Sequence, residues 1–250
     1  MTENMNMNLE SYVITEVPPK VHYIPNFITP EEEENILNKV NSSPKPKWTQ
    51  LRNRRLQNWG GVPHPNGMIS EKIPEWLEFY MNKINKLAVY NQSNWPNHVL
   101  VNEYLPGQGI MPHTDGPLFH PIVTTITCGS HTVLEFYERH STEDFTKDQG
   151  CTTSELGLPK PCAALLLERQ SLLILQEDMY HHHLHGISEQ TQDTIDETIK
   201  NLHLCQAKLT ITELTTAENC SALTQLPRKL LAYFLTNGPV GTCVCVYIFS

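Results

Sequence analysis

The stretch Val99–Gly116 reads Val-Leu-Val-Asn-Glu-Tyr-Leu-Pro-Gly-Gln-Gly-Ile-Met-Pro-His-Thr-Asp-Gly. It opens as a strand, with Val99, Leu100 and Val101 followed by Asn102 and Tyr104, which share one face because side chains alternate along extended chain. Pro106-Gly107 signals a turn, and nine residues after Tyr104 comes His113-Thr-Asp115. In an extended segment His113 and Asp115 also point the same way, so an imidazole and a carboxylate can grip one ion. A second, distant His would complete the two-His, one-carboxylate set that holds non-haem Fe(II) and leaves coordination positions open. The candidates lie downstream, where His181, His182, His183 and His185 crowd Tyr180–Gly186. In a strand His181, His183 and His185 share a face, and spacing alone does not choose among them.

Outward from this stretch the chain changes character. Upstream, Thr29-Pro30 followed by Glu31, Glu32, Glu33 and Glu34 predicts a helix start: Thr caps, Pro suits the first position, and the acids face the positive helix end as a solvated first turn. Pro74–Leu87 predicts an amphipathic helix with Trp76, Leu77, Tyr80, Ile84 and Leu87 on its core face. Between the helices, Pro44–Gly67 is rich in cations (Lys45, Lys47, Arg52, Arg54, Arg55) and carries Trp48 and Trp59, which suits either phosphate contacts with base stacking or a solvated loop whose Trp residues anchor in the core. Trp59-Gly60-Gly61 reads as a hinge bearing a stacking ring.

Downstream, short aliphatic strands are expected at Ile122–Thr127, Thr132–Tyr137, Ala163–Leu167 and Leu172–Leu175, with Gly129-Ser130 and Arg169-Gln170 as hairpin connections. A mainly β fold with flanking N-terminal helices follows, a double-stranded β-helix or jelly roll. His120 reads as a loop residue, His131 as a strand start, and residues 139–161 as a polar insertion. The expected organisation is a disordered 1–11, a helical extension over 12–97, a jelly-roll core over 98–212, and an atypical segment over 213–250.

Bulk properties narrow the field. The chain has 250 residues and a net charge of −9, which argues against a phosphate-attracting field over the whole protein but leaves room for the basic patch at Lys45–Arg55. Seven Cys, odd in number and scattered, fit reduced thiols inside a cell. The first residues lack a basic and an apolar region, so no signal peptide is read, and Gly238–Phe249 is too short to span a bilayer. Cytoplasm and nucleus are the expected compartments.

Asn102-x-Tyr104, Pro106-Gly107 and His113-x-Asp115 together resemble the AlkB family of Fe(II)/2-oxoglutarate dioxygenases. Pro44–Leu51, Arg55–Gly61, Gly129–Leu134 and Leu184-His185-Gly186-Ile187 extend the resemblance over roughly residues 12–205. The resemblance implies His113, Asp115 and His185 as catalytic metal ligands, with Asn102 and Tyr104 binding 2-oxoglutarate. It implies Fe(II), 2-oxoglutarate and O₂ as cofactor and co-substrates, and a flexible substrate lid that includes Arg55 and Trp59. The implied reaction is hydroxylation or oxidative demethylation, with methylated nucleic acid (RNA or DNA) as the expected substrate. A protein substrate or partner is the alternative, and a monomer with no membrane attachment is expected. The family also places an Arg on its last core strand to clamp the co-substrate's far carboxylate, since a guanidinium fork matches a carboxylate. Here no Arg lies between Arg169 and Arg228; Leu209–Thr212 partly resembles that strand, with Gln206 and Thr212 where Arg is expected and Lys208 nearby. Residues 213–250 resemble nothing in the family, and Cys243-x-Cys245 alone is a poor metal site. A non-catalytic nucleic-acid- or protein-binding jelly-roll module with impaired 2-oxoglutarate binding is therefore the competing expectation.

Overall fold

A computed structural model of the chain describes residues 8–64, 67–116, 119–139, 160–206, 225–227 and 242–249. Its strands, in chain order, are β1 (His22–Ile24), β2 (Trp48–Gln50), β3 (Arg55–Trp59), β4 (Gly61–His64), β5 (Gly67–Ser70), β6 (His98–Tyr104), β7 (Ile110–His113) and β8 (Ile122–Cys128). Then follow β9 (Thr132–Glu138), β10 (Ala163–Leu167), β11 (Leu172–Gln176), β12 (His183–Ile187), β13 (Gln192–Thr194), β14 (Gln225–Pro227) and β15 (Cys243–Phe249). Helices α1 (Pro30–Asn41), α2 (Glu75–Asn85) and the short α3 (Glu177–His181) complete it.

A seven-stranded sheet in the order β1-β11-β8-β15-β6-β3-β2 faces a four-stranded sheet in the order β10-β9-β12-β7. Neighbours within both sheets are antiparallel, which gives the jelly roll expected from the short strands. Between the sheets lies one core, with Tyr104, Val133, Phe136, Leu165, Leu173 and Cys245. A second core fills the outer face of the large sheet, where Ile36 and Val40 of α1 and Leu77, Tyr80 and Ile84 of α2 meet Val99, Val101, Val244, Val246 and Ile248. The large sheet is therefore covered on both faces, and every residue of β15 is buried.

That last strand changes the expected organisation. The jelly roll is not confined to residues 98–212: it takes β1, β2 and β3 from before that span and β15 from after it. The apolar Cys243–Phe249 run inserts between β6 and β8, pairing Cys243 with Tyr104, Cys245 with Asn102 and Val246 with Ile126. Leu209–Thr212 and Lys208 lie outside the described residues, as do most of the polar insertion and residues 1–7. Leu9–Tyr12 forms a 3-10 turn instead of a disordered start, because the Asn8 side chain accepts from the Glu10 N–H and caps it.

The hairpins expected at Gly129-Ser130 and Arg169-Gln170 are corners instead. β8 and β9 lie in different sheets, as do β10 and β11, so each short connection carries the chain across the sandwich. Helix α1 pins both corners. Its N-terminus has the predicted cap, with Thr29 and Glu32 in a reciprocal box. One of the acids expected in water is buried, however. The Glu33 carboxylate accepts from the Gly129 N–H at 2.7 Å, from Arg169 Nε at 2.9 Å and from Gln170 Nε2 at 2.7 Å. A charge this deep is tolerable because a guanidinium and two further donors saturate it. Gly129 itself has φ +80°, and a Cβ there would stand 2.5 Å from the Thr242 carbonyl oxygen.

Candidate active site

The short strand β7 carries His113 at its end and pairs with β12, setting His113 directly opposite His185. Opposed residues of an antiparallel pair face the same way, so the two imidazoles project together, their ring centres 4.5 Å apart. Asp115, two residues past His113, follows the same side, and its Oδ1 lies 3.8 Å from His185 Nε2. One donor atom from each of His113, Asp115 and His185 lies within 4.8 Å of the others. It is the single group of three or more such donors among the described residues.

The surroundings prepare these groups for a cation. His113 Nδ1 is 2.9 Å from the Met111 carbonyl, which can only accept, so Nδ1 donates there and Nε2 is the ring nitrogen left for a metal. Burial, with His113 as a second cause, pushes the His185 pKa down to about 3, so this imidazole stays neutral and ready to bind. Burial raises the Asp115 carboxyl above its ordinary value, opposed by His113, as expected where a counter-cation belongs. This donor set fits Fe(II). The neighbouring histidines are occupied elsewhere: His183 Nδ1 is 3.2 Å from the Asp178 carbonyl, and His181 and His182 are exposed on or just after α3. His131 Nε2 lies 3.1 Å from buried Asp193, and His120 Nε2 3.0 Å from Asn94 Nδ2.

The other wall of the sandwich is the large sheet. Asn102 and Tyr104 are both buried on the inner face of β6. β15 contributes Cys243, Cys245, Tyr247 and Phe249 on that face, with the two thiol sulfurs 3.6 Å apart. Burial pushes the Tyr104 and Tyr247 phenols far up, so both keep their protons. Cys243 and Cys245 together fall short of a metal site, and β15 supplies no cation.

The basic stretch is largely a hairpin of β2 and β3 beside β6. Leu56 pairs with Asn102 and therefore shares the inner face, whereas Arg55 and Trp59 alternate to the helix side. Arg55 makes a two-pronged bond to Glu103 at 2.6 and 2.7 Å and covers the Trp48 ring at 4.0 Å. The Trp59 ring lies edge-on to Trp76, beneath Lys47, and its Nε1 donates to Gln57. Gly60, read as a hinge, is wedged where a Cβ would stand 2.1 Å from the Asn97 carbonyl oxygen. The residue of this hairpin that meets the site is Arg54, whose Nε donates to Asn102 Oδ1 at 3.1 Å. Period-two alternation from Leu56 would have separated it from Arg55, had the strand pairing been known.

Comparisons with known proteins agree with this geometry. A family model described as the 2OG-Fe(II) oxygenase superfamily matches residues 48–212. The chain is 52% identical over 196 residues to the "Probable RNA/DNA demethylase ALKBH6" of Danio rerio, spanning 78% of this chain and 81% of that protein. It is 25% identical to the "tRNA (carboxymethyluridine(34)-5-O)-methyltransferase ALKBH8" of Mus musculus, over 76% of this chain and 26% of that protein. In fold it is similar to the solved structure of OsALKBH1, with a TM-score of 0.53 at 12% identity, covering 94% and 99% of the two chains.

Proposed function

The chain belongs to the 2OG-Fe(II) oxygenase superfamily as an AlkB-like member, and from that premise we propose that it oxidatively demethylates N-methylated nucleic acid. The family uses Fe(II), 2-oxoglutarate and O₂. The observation that carries the reading is the convergence of His113, Asp115 and His185 on one side of the β7–β12 pair. The relative named as an RNA/DNA demethylase supports the substrate class.

His113 Nε2, His185 Nε2 and the Asp115 carboxylate would hold the metal. Bound there, the metal with 2-oxoglutarate and O₂ supplies oxidising power that turns an N-methyl C–H into C–OH, with succinate and CO₂ released and formaldehyde lost from the hemiaminal. The protein's own share is placement. The Met111 carbonyl fixes the His113 ring, and burial keeps His185 deprotonated. Asn102 and Tyr104, buried on β6, carry an amide N–H and a phenolic O–H that would donate to co-substrate oxygens. Exposed Lys45 and Arg52 are suited to substrate phosphates, while Arg55 and Trp59 prop the hairpin that carries them. We infer cytoplasm and nucleus as its compartments from the substrate class.

A second reading, a module that binds nucleic acid without turnover, draws on the lack of a cation on β15. One experiment separates the two. The Fe(II)-loaded chain is given 2-oxoglutarate, O₂ and a panel of N-methylated RNA and DNA oligonucleotides. The expected result is formaldehyde and succinate in step with loss of the methyl group, abolished in His113→Ala. Oligonucleotide binding with no formaldehyde from any member would overturn demethylation and leave the binding module standing.

A further inference from the structure

We propose that Arg54 is the residue that receives the far carboxylate of 2-oxoglutarate in this chain, in place of a cation on the last core strand. The inference rests on the oxygenase reading above and deepens it.

The strand beside β6 on one flank is β15, whose inward side chains are two thiols and two aromatic rings. A dicarboxylate lying along Asn102 and Tyr104 would bury its free carboxylate against neutral groups there, which is costly without a paired donor. The strand on the other flank is β3. Because Leu56 pairs with Asn102, the position two residues earlier continues on the same face towards Tyr104. That position is Arg54. It is partly buried, its Nε donates to Asn102 Oδ1 at 3.1 Å, and its charge opposes the upward push that burial gives the Tyr104 phenol. Among the described residues its terminal nitrogens meet no acceptor, and a carboxylate placed there would complete the fork.

Its neighbours are committed elsewhere. Arg55 is held by Glu103 on the other face, and Lys47 by Glu71 at 2.9 Å. Asn53, next to Arg54, is hydrogen-bonded to Glu189 just beyond β12, which ties the hairpin turn to the metal-bearing wall. The guanidinium is thereby held beside Asn102 from a turn anchored on both sides. A planar fork with an open edge suits a carboxylate better than a point charge.

The test uses the full chain loaded with Fe(II) without oxygen. Titrations with 2-oxoglutarate and with 2-oxobutyrate, which lacks the far carboxylate, are read from the visible charge-transfer band of the chelate. In Arg54→Ala the affinity for 2-oxoglutarate is expected to fall about 10-fold or more, as for loss of a charged hydrogen bond. Its affinity for 2-oxobutyrate and for Fe(II) is expected to hold, and Arg54→Lys should recover part of the loss. Unchanged or tighter 2-oxoglutarate binding in Arg54→Ala overturns the proposal, as does equal weakening of both acids. If the unaltered chain forms the band and Arg54→Ala matches it, the proposal falls alone. If the unaltered chain binds Fe(II) but forms no band with 2-oxoglutarate, the oxygenase reading of this site falls with it.

Discussion

At the edge where β7 meets β12, each donor has a local cause for its position: strand register opposes the two imidazoles, a carbonyl fixes one of them, and burial neutralises the other. Along β15, the backbone is placed just as firmly, hydrogen-bonded to β6 and β8 on both sides, yet the side chains it turns between the sheets are thiols and aromatic rings. The contrast separates two demands on a strand. Its outer residues, Val244, Val246 and Ile248, need only be apolar to seat it against the helices. Its inner residues decide chemistry, and nothing in the pairing specifies them. A strand can therefore be correct for the fold and unusual for the site.

This comparison presupposes a frame that holds both walls, and Arg169→Ala is the strongest way to break it. Removing the guanidinium leaves Glu33 buried at two sheet corners, with an expected cost of about 3 kcal/mol in denaturant unfolding. An unchanged midpoint would mean the corners hold without the ion pair. Next, His185→Ala should weaken Fe(II) binding by at least about 100-fold, beyond the loss typical of outer-shell changes, while the thermal transition of the metal-free chain persists. Retained affinity would move the third ligand elsewhere.

The pH dependence of the metal-free protein sharpens the same wall. His185 titrates near 3 when folded and near its ordinary 6.5 when unfolded, so between these values the unfolded chain takes up the proton more readily. Stability is then present above pH 6.5 and falls as the pH drops through the window, at up to about 1.4 kcal/mol per pH unit. Asp115, with its folded-state pKa raised, acts in the opposite sense at the acid end. Buried His22 and His98, also pushed down, add to the trend, so the measurement is the difference in slope between the chain and His185→Gln. Equal slopes would show that His185 does not stay neutral. The smallest effect belongs to the other wall. Tyr104→Phe should lower 2-oxoglutarate affinity by a factor of about 2 to 10, the worth of one neutral hydrogen bond, and leave Fe(II) binding alone.

Much of this was legible in the residues. An apolar run marked β6, and turn chemistry with aliphatic runs bounded β8 to β11 to within a residue. The helix start at Thr29-Pro30 followed from capping rules. The i, i+2 spacing of His113 and Asp115 already set them on one side, but the choice of His185 over His183 needed family likeness, since both lie on the same face of β12. Other features were hidden for physical reasons. A short turn reads alike whether the next strand pairs beside it or crosses to the facing sheet, so the corners passed for hairpins. Cys243–Phe249 shows no polar alternation because it is buried on both faces, and such a run does not reveal its partners. Glu33 looked like its solvated neighbours because its three donors come from distant turns. Arg54 was one of five cations until the β3–β6 register set it apart from Arg55.

The position of β15 bears on how the protein is made. It is the middle strand of the large sheet, with β8-β11-β1 on one side and β6-β3-β2 on the other. A ribosome must therefore deliver residues up to Phe249 before the halves can join. Until then β6 and β8 each present an open edge, the kind of surface on which nascent chains stick to one another. Pairings so distant in sequence also form slowly. A chain stalled or clipped ahead of Cys243 would carry all three candidate metal ligands and still lack the strand that closes the sheet behind them, so its yield in a cell should depend on chaperones that shield those edges.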